Sequence, residues 1–294
     1  MVCSFFENKK ILVTGGSGFV GSHLCEALAL VCDVWSVDNY STGSINNHIA
    51  GVKYYRANTT EIDHLDIPVP DIVFHLGEYS RVEQSFVDLE QVWNSNVYGT
   101  SAVLNYCKKT GAKLIYAGSS TKFGDNGLGR NQSPYGWTKS SNTDLISNFG
   151  AWFGLSHAIV YFYNAYGPRE IRIGKYATLI GRYAELMRQG KPLGVVLPGS
   201  QVRNFTHVAD LVSGLLLVAE FGSGDGYGIG SDESFSVFDV AQLFGGDVEM
   251  LPERKGNRMS ANLVVDKTKA LGWSATHTLT GYIERLKETN WSHE

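Results

Sequence analysis

Ile11-Leu12-Val13-Thr14-Gly15-Gly16-Ser17-Gly18-Phe19-Val20-Gly21-Ser22-His23 decides the fold. Three aliphatic residues open it, the pattern of a strand buried on both faces. Gly15, Gly18 and Gly21 follow at three-residue spacing, and residues 23–30 then show the apolar spacing of a helix. Strand, glycine turn and helix form an anion site. Gly15 permits the tight turn, Gly18 lets the backbone approach a pyrophosphate, and Gly21 lets helix and strand pack closely. A flexible turn would show the same glycines, but their place between strand and helix points to a bound dinucleotide.

Working outward, the next buried run, Asp33-Val34-Trp35-Ser36-Val37-Asp38-Asn39, ends in an acid. A carboxylate there accepts bonds from the adenosine ribose and repels a 2′-phosphate, so Asp38 favours NAD over NADP; a turn or capping aspartate is the alternative. Residues 52–56, 71–76 and 113–117 read as further strands, and residues 84–109 as one long helix containing Asn96. Strands alternating with helices require parallel pairing with right-handed crossovers. The expected fold is therefore α/β, a Rossmann-type doubly wound parallel sheet. From Asn164 the alternation weakens, giving a smaller, mixed C-terminal substrate-binding region. The expected division is 1–163 for the NAD-binding domain and 164–294 for an interlocked substrate-binding region.

Composition narrows the function classes. Charged residues make up 18% and hydrophobic ones 43% of the 294 residues, a globular balance. A net charge of -4 with no basic run argues against a nucleic-acid partner. The longest apolar stretch, residues 211–221, is interrupted by Ser213, Gly214 and Glu220 and is too short for a bilayer. Residues 1–10 have no apolar core before their lysines, so a cytoplasmic location is expected. Cys3, Cys25, Cys32 and Cys107 lack metal-ligand spacing and read as free thiols; the histidines are scattered, and no metal is expected.

Ser133-Pro134-Tyr135-Gly136-Trp137-Thr138-Lys139 opens a helix, with Pro134 suited to its first turn. Tyr135 and Lys139 lie one turn apart on one face. The pair follows a strand ending in serines, Ser119 and Ser120, on a dinucleotide-type sheet. A nearby ammonium and a bound nicotinamide cation both favour the phenolate, which makes Tyr135 a base able to take a hydroxyl proton while hydride leaves for the cofactor.

With these residues the chain resembles the extended short-chain dehydrogenase/reductase family, the nucleotide-sugar epimerases and dehydratases. The resemblance spans nearly the whole chain. It rests on Thr14 to Gly21, Val37-Asp38-Asn39, His75-Leu76-Gly77, Asn96-Val97-Tyr98-Gly99-Thr100, Ser119 with Phe123-Gly124, Tyr135 with Lys139, Asn164 to Arg169, and Arg203-Asn204-Phe205. It implies that Ser119 bonds the sugar oxygen being oxidised, that Tyr135 is the acid/base, and that Lys139 holds the nicotinamide ribose. It implies NAD contacts at Gly15, Gly18, Phe19, Val20, Asp38, Asn39, Asn58, Leu76, Gly77, Asn96, Tyr135 and Lys139. Asn164, Arg203 and Arg254 are implied for the sugar nucleotide, with two guanidinium groups closing on its diphosphate. A homodimer is a family-level expectation, with Phe149, Trp152 and Phe153 as apolar candidates for the contact or for burial in the monomer.

Departures bear on the reaction. Family 4,6-dehydratases carry an Asp-Glu pair after the serine or threonine, and the decarboxylases a Glu; this chain has Ser120 and Thr121. Elimination and decarboxylation therefore lose their extra carboxyl group, and oxidation followed by reduction from the other face remains, the chemistry of a 4-epimerase. Ser120 and Glu78 are candidate substrate ligands. Glu78 stands where relatives have a small residue, and reads either as a ligand or acid near the nicotinamide or as a solvent-facing side chain. The link from Gly124 to Tyr135 is short, so the sugar-side wall is either more open or rebuilt by other residues. The competing functions are a one-way ketoreductase or a dehydratase on the same scaffold and a non-catalytic NAD-binding regulator.

Overall fold

Aliphatic runs that end in glycine, aspartate or serine build the strands of the computed structural model, which describes residues 4–292. The first half runs β1 (Lys10–Thr14), α1 (Phe19–Leu28), β2 (Asp33–Asp38), β3 (Lys53–Arg56) and β4 (Ile72–His75). It continues through α2 (Leu89–Val92), α3 (Gly99–Thr110), β5 (Lys113–Ser119), α4 (Pro134–Phe153) and β6 (His157–Phe162). The second half holds β7 (Ala165–Tyr166), α5 (Leu179–Arg188), β8 (Leu193–Val196), β9 (Val202–Asn204), β10 (Thr206–His207), α6 (Val208–Phe221) and β11 (Gly224–Ile229). It closes with β12 (Ser234–Ser236), α7 (Val237–Phe244), β13 (Val248–Leu251), α8 (Asp266–Ala270) and α9 (Leu279–Glu288).

Seven strands form one parallel sheet in the order β11-β6-β5-β4-β1-β2-β3. The order reverses between β1 and β4, and at such a switch point the carboxyl ends leave a crevice for ligands. The doubly wound expectation holds. Residues past 164 do not stay apart from the sheet: β11 is its edge strand, and Leu211, Leu215, Val218 and Ala219 of α6 pack in the same core as Leu24 and Leu28 of α1. A second core, under β8, α5, α7 and α9, is built on Tyr166, Tyr183, Leu193, Phe244 and Ile283.

One element differs from expectation. Residues 84–109 are not a single helix: a short turn at Gln84–Phe86 precedes α2, and a wider π turn, Trp93–Tyr98, joins α2 to α3. Asp88 interrupts the run because its carboxylate is held by Tyr79, Lys175 and Tyr176 from other parts of the chain. Cys25 and Cys107 are buried free thiols and Cys32 is half-buried; Cys3 lies outside the described residues.

Candidate active site

The carboxyl ends of β1, β2, β4 and β5 open into one cleft of about 1400 Å³. That exceeds the usual ~300–1,000 Å³ of a single-ligand pocket and suits two ligands end to end. Gly15 takes a φ of +75°, and a Cβ there would come within 2.8 Å of the Gly77 Cα. A Cβ on Gly21 would stand 2.1 Å from the Gly15 carbonyl oxygen. The loop therefore lies flat against β4 and α1, and the first amides of α1, at Phe19 and Val20, face the cleft with the positive end of the helix dipole. This cradle fits the pyrophosphate of a dinucleotide.

Asp38 closes β2. Its Oδ2 accepts from the Ser17 amide at 2.9 Å and its Oδ1 from the Tyr40 amide at 2.7 Å, which ties the acid to the glycine loop. Burial raises its pKa, partly offset by those two amides. Asn39 donates to the Asn58 side chain at 3.0 Å; Asn58, Leu76 and Gly77 line the same end of the cleft. Asn96 is fully buried and lies beneath the wall. Its Oδ1 accepts from the Tyr79 amide at 2.7 Å, and its Nδ2 donates to the Tyr79 carbonyl and to Thr138. It positions the turn after β4 from the protein side.

The reacting end gathers Ser119, Tyr135 and Lys139. Ser133 caps α4, accepting from the Gly136 amide at 3.0 Å, and this sets Tyr135 in the first turn with Lys139 one turn on. Ser119 ends β5; its hydroxyl donates to Thr121 Oγ1 at 2.9 Å and accepts from the Thr121 amide at 3.2 Å. Lys139 is 6% exposed and donates to the Ala117 carbonyl and to Glu78.

Of the two readings of Glu78, the solvent-facing one does not hold. In the wall of the cleft its side chain turns away from solvent and is 2% exposed. Oε2 pairs with the Lys139 ammonium, and Oε1 accepts from Thr100 at 2.8 Å, Asn142 at 2.9 Å and Tyr116 at 3.1 Å. Thr100 joins His75 at 3.0 Å, and His75 joins Thr14 at 2.7 Å. Burial lowers the His75 pKa to about 4, so its ring is neutral.

The substrate-side residues diverge in their surroundings. Asn164 lines the cleft and donates to the Asn204 carbonyl at 2.9 Å, leaving its Oδ1 available. Arg203 lies on the wall with its donors on the Val202 and Arg258 carbonyls and on Asn257, and burial lowers its pKa to about 10. Arg254 at the mouth pairs with Glu83 at 2.8 Å, both half-exposed, a pair readily exchanged for a ligand phosphate.

Two cleft residues escaped the sequence reading. Arg81 is half-buried, with its guanidinium on the Tyr176 and Ser80 carbonyls. Arg258 donates to Ser120 Oγ at 3.0 Å. Both lie within electrostatic reach of Tyr135. The short link after Gly124 was the available signal for Arg258. Residues 257–262 fill the gap, Gly124 bridges Ala261, and Asp125 accepts from the Met259 and Ser260 amides at 2.9 and 3.1 Å. The wall is rebuilt rather than open.

Among the described residues no group of His, Cys, Asp or Glu is placed to hold a metal, and no helix is long and apolar enough to cross a membrane.

Known proteins resemble the whole arrangement. The chain is 31% identical over 261 residues to a UDP-N-acetyl-alpha-D-glucosaminuronate decarboxylase of Bacillus cytotoxicus, covering 80% of this chain and 78% of that one. It is 29% identical to UDP-glucuronic acid decarboxylase 6 of Arabidopsis thaliana, over 92% of this chain and 85% of the relative. The UDP-glucose 4-epimerase of Thermotoga maritima, solved with UDP-glucose, superposes with a TM-score of 0.86 at 27% identity, covering 95% of this chain and 99% of that one. The NAD dependent epimerase/dehydratase family matches residues 11–230, which include the glycine loop, Asp38, Ser119, Tyr135 and Lys139. The chain belongs to this family of extended short-chain dehydrogenases/reductases, and it is an enzyme with NAD as its cofactor.

Proposed function

We propose that the protein is a 4-epimerase of a nucleoside-diphosphate sugar. The observation that carries this reading is the convergence of Ser119, Tyr135 and Lys139 on one cleft with the glycine loop, next to Ser120 and Thr121, which offer no carboxyl group. Glu78, the nearby acid on β4's turn, is spent on Lys139. Proton transfer at a second carbon, as dehydration or decarboxylation requires, thus lacks its group.

Bound through Gly15, Gly18, Phe19, Val20 and Asp38, NAD supplies a hydride acceptor and donor at the sugar carbon. Ser119 turns its hydroxyl from Thr121 to the sugar O4, and Tyr135 removes the O4 proton as C4 loses hydride. Of the three Lys139 N–H donors, two are held by Glu78 and Ala117, which leaves one for the nicotinamide ribose. Asn164, Arg203 and Arg254 grip the nucleotide half, so its binding energy retains the 4-keto sugar while the ring turns. Tyr135 would then be placed to return the proton to O4 if the turned ring is reduced from its opposite face.

The test is product analysis by NMR with a panel of nucleotide sugars on the NAD-loaded protein. A C4 epimer with no net change in nicotinamide absorbance is expected, and Tyr135→Phe abolishes turnover while keeping NAD bound. Stoichiometric oxidation or reduction of the nicotinamide would replace the epimerase with a ketoreductase.

A homodimer belongs to the same proposal. Trp93 and Trp137 stack at 5.5 Å on a surface that also exposes Leu89, Tyr98, Trp152 and Phe153. An apolar face of that kind suits a second copy of the chain. Gel filtration at low concentration, with Trp137→Glu as the disrupting variant, tests it.

A further inference from the structure

Residues 167–178, the link from β7 to α5, bridge two sides of the cleft. At the α1 side, His23 Nε2 donates to the Pro168 carbonyl at 2.9 Å and Arg169 pairs with Glu26. At the β4 side, Arg81 donates to the Tyr176 carbonyl, and the Asp88 carboxylate accepts from Lys175 at 2.8 Å and from the Tyr176 hydroxyl at 2.9 Å. The pyrophosphate cradle stands between these two fastenings. Phe19 and Val20 open the helix that carries His23, and Gly77, packed against Gly15, leads into Arg81. Gly174, Lys175 and Ala177 line the same cleft. A dinucleotide seated on the cradle thus has the link as a strap across it.

Neck and tip of this strap are held differently. The chain closes the neck on itself: the Thr178 amide donates to the Ile171 carbonyl at 2.9 Å, and the Thr178 hydroxyl to Glu170 at 2.6 Å. The tip has no apolar seat. Ile173 is 70% exposed, and no residue of 172–177 belongs to the hydrophobic cores of the described residues. Polar bonds gathered on Asp88 hold the tip instead, and the Lys175 side chain is more than half exposed. Exposed ion pairs contribute little, so these bonds can part without disturbing a core. Gly167 at the start of the strap has a φ of +139° and Gly174 in its tip one of +77°. Glycine enters such backbone states at no steric cost, and hinge positions of this kind let a loop swing. We propose that residues 167–178 are a gate over the cofactor, latched by Asp88, and that NAD enters and leaves only when Lys175 and Tyr176 part from that carboxylate. The inference concerns NAD alone and does not depend on which reaction the sugar undergoes.

Stopped-flow fluorescence with NADH as the probe tests it. Mixing NADH with the protein gives the association rate, and chasing the NADH complex with excess NAD gives the dissociation rate. A gate slows both, because binding waits on a conformational change, whereas a lost contact to the cofactor speeds release alone. Asp88→Asn turns amide hydrogens toward Lys175 and should raise dissociation by about tenfold or more and association severalfold, so that Kd changes less than the dissociation rate. Lys175→Met combined with Tyr176→Phe cuts the same bonds from the strap side and should do the same; it decides the matter if the Asp88 variant does not fold. Unchanged dissociation in a folded variant overturns the proposal, as does faster dissociation with unchanged association. No sugar nucleotide takes part, so failure of the gate leaves the epimerase reading intact, and failure of that reading leaves the gate.

Discussion

Glu78→Gln is the substitution that separates a structural ion pair from an incidental one. The new amide would keep a carbonyl oxygen for Thr100, Asn142 and Tyr116, and would turn its hydrogens toward the Lys139 ammonium, donor against donor. Removing one member of a buried pair costs about 3–5 kcal/mol, because the other charge is left uncompensated. Lys139→Met should cost a similar amount by stranding the carboxylate. The double variant strands nothing, and should lose about 2 kcal/mol less than the two single losses combined. Urea unfolding of the four proteins measures this, with equal m-values as the check on a common denatured state. Additive losses, within about 0.5 kcal/mol, would refute the pairing. Catalysis supplies a second reading. Glu78→Gln should also lower kcat/KM, because an ammonium freed from its carboxylate no longer keeps its place in the cleft beside Tyr135. His75, Tyr116, Arg81 and Arg258 face the same region and are unchanged in the comparison.

Gly21→Ala should abolish NAD binding and lower the melting temperature, since its Cβ would lie 2.1 Å from the Gly15 carbonyl and push the loop out of place; intrinsic fluorescence titration with NAD and thermal melting check both. Asp38→Asn should weaken NAD about tenfold, about 1.4 kcal/mol, and narrow the preference over NADP, because an amide cannot accept from both the Ser17 and Tyr40 amides. Burial pushes the Glu170 carboxyl up to about 7 from 4.5, so the folded state holds this proton more tightly than the unfolded chain. Stability from this group is present below about pH 4.5, falls by roughly 3 kcal/mol as pH rises to about 7, and is flat above; Glu170→Gln should remove that decline from a series of urea unfolding curves.

The glycine loop, β1, β2, β4 and β5 were legible because each is a local run with a local terminator. β11 was not: Gly224-Asp225-Gly226-Tyr227-Gly228-Ile229 carries three glycines and little strand pattern, and it becomes a strand only through pairing with β6. The break at Asp88 was hidden for the same reason, its partners lying nine to eighty-eight residues away. Residue types at the reacting end were readable as a set, whereas side-chain direction was not. Glu78 turns inward because Asn96 fixes the Tyr79 backbone and a ring of buried donors awaits a carboxylate, and neither condition is visible in the residues next to it.

These directions change how the charge around Tyr135 is to be understood. In the family pattern the phenol answers mainly to its lysine. Here Glu78 cancels much of the Lys139 charge from below, while Arg81 and Arg258 lie within electrostatic reach of the phenol from other walls of the cleft. Of the two guanidinium groups, Arg81 donates to the Tyr176 and Ser80 carbonyls and the Ser80 hydroxyl, and Arg258 donates to Ser120.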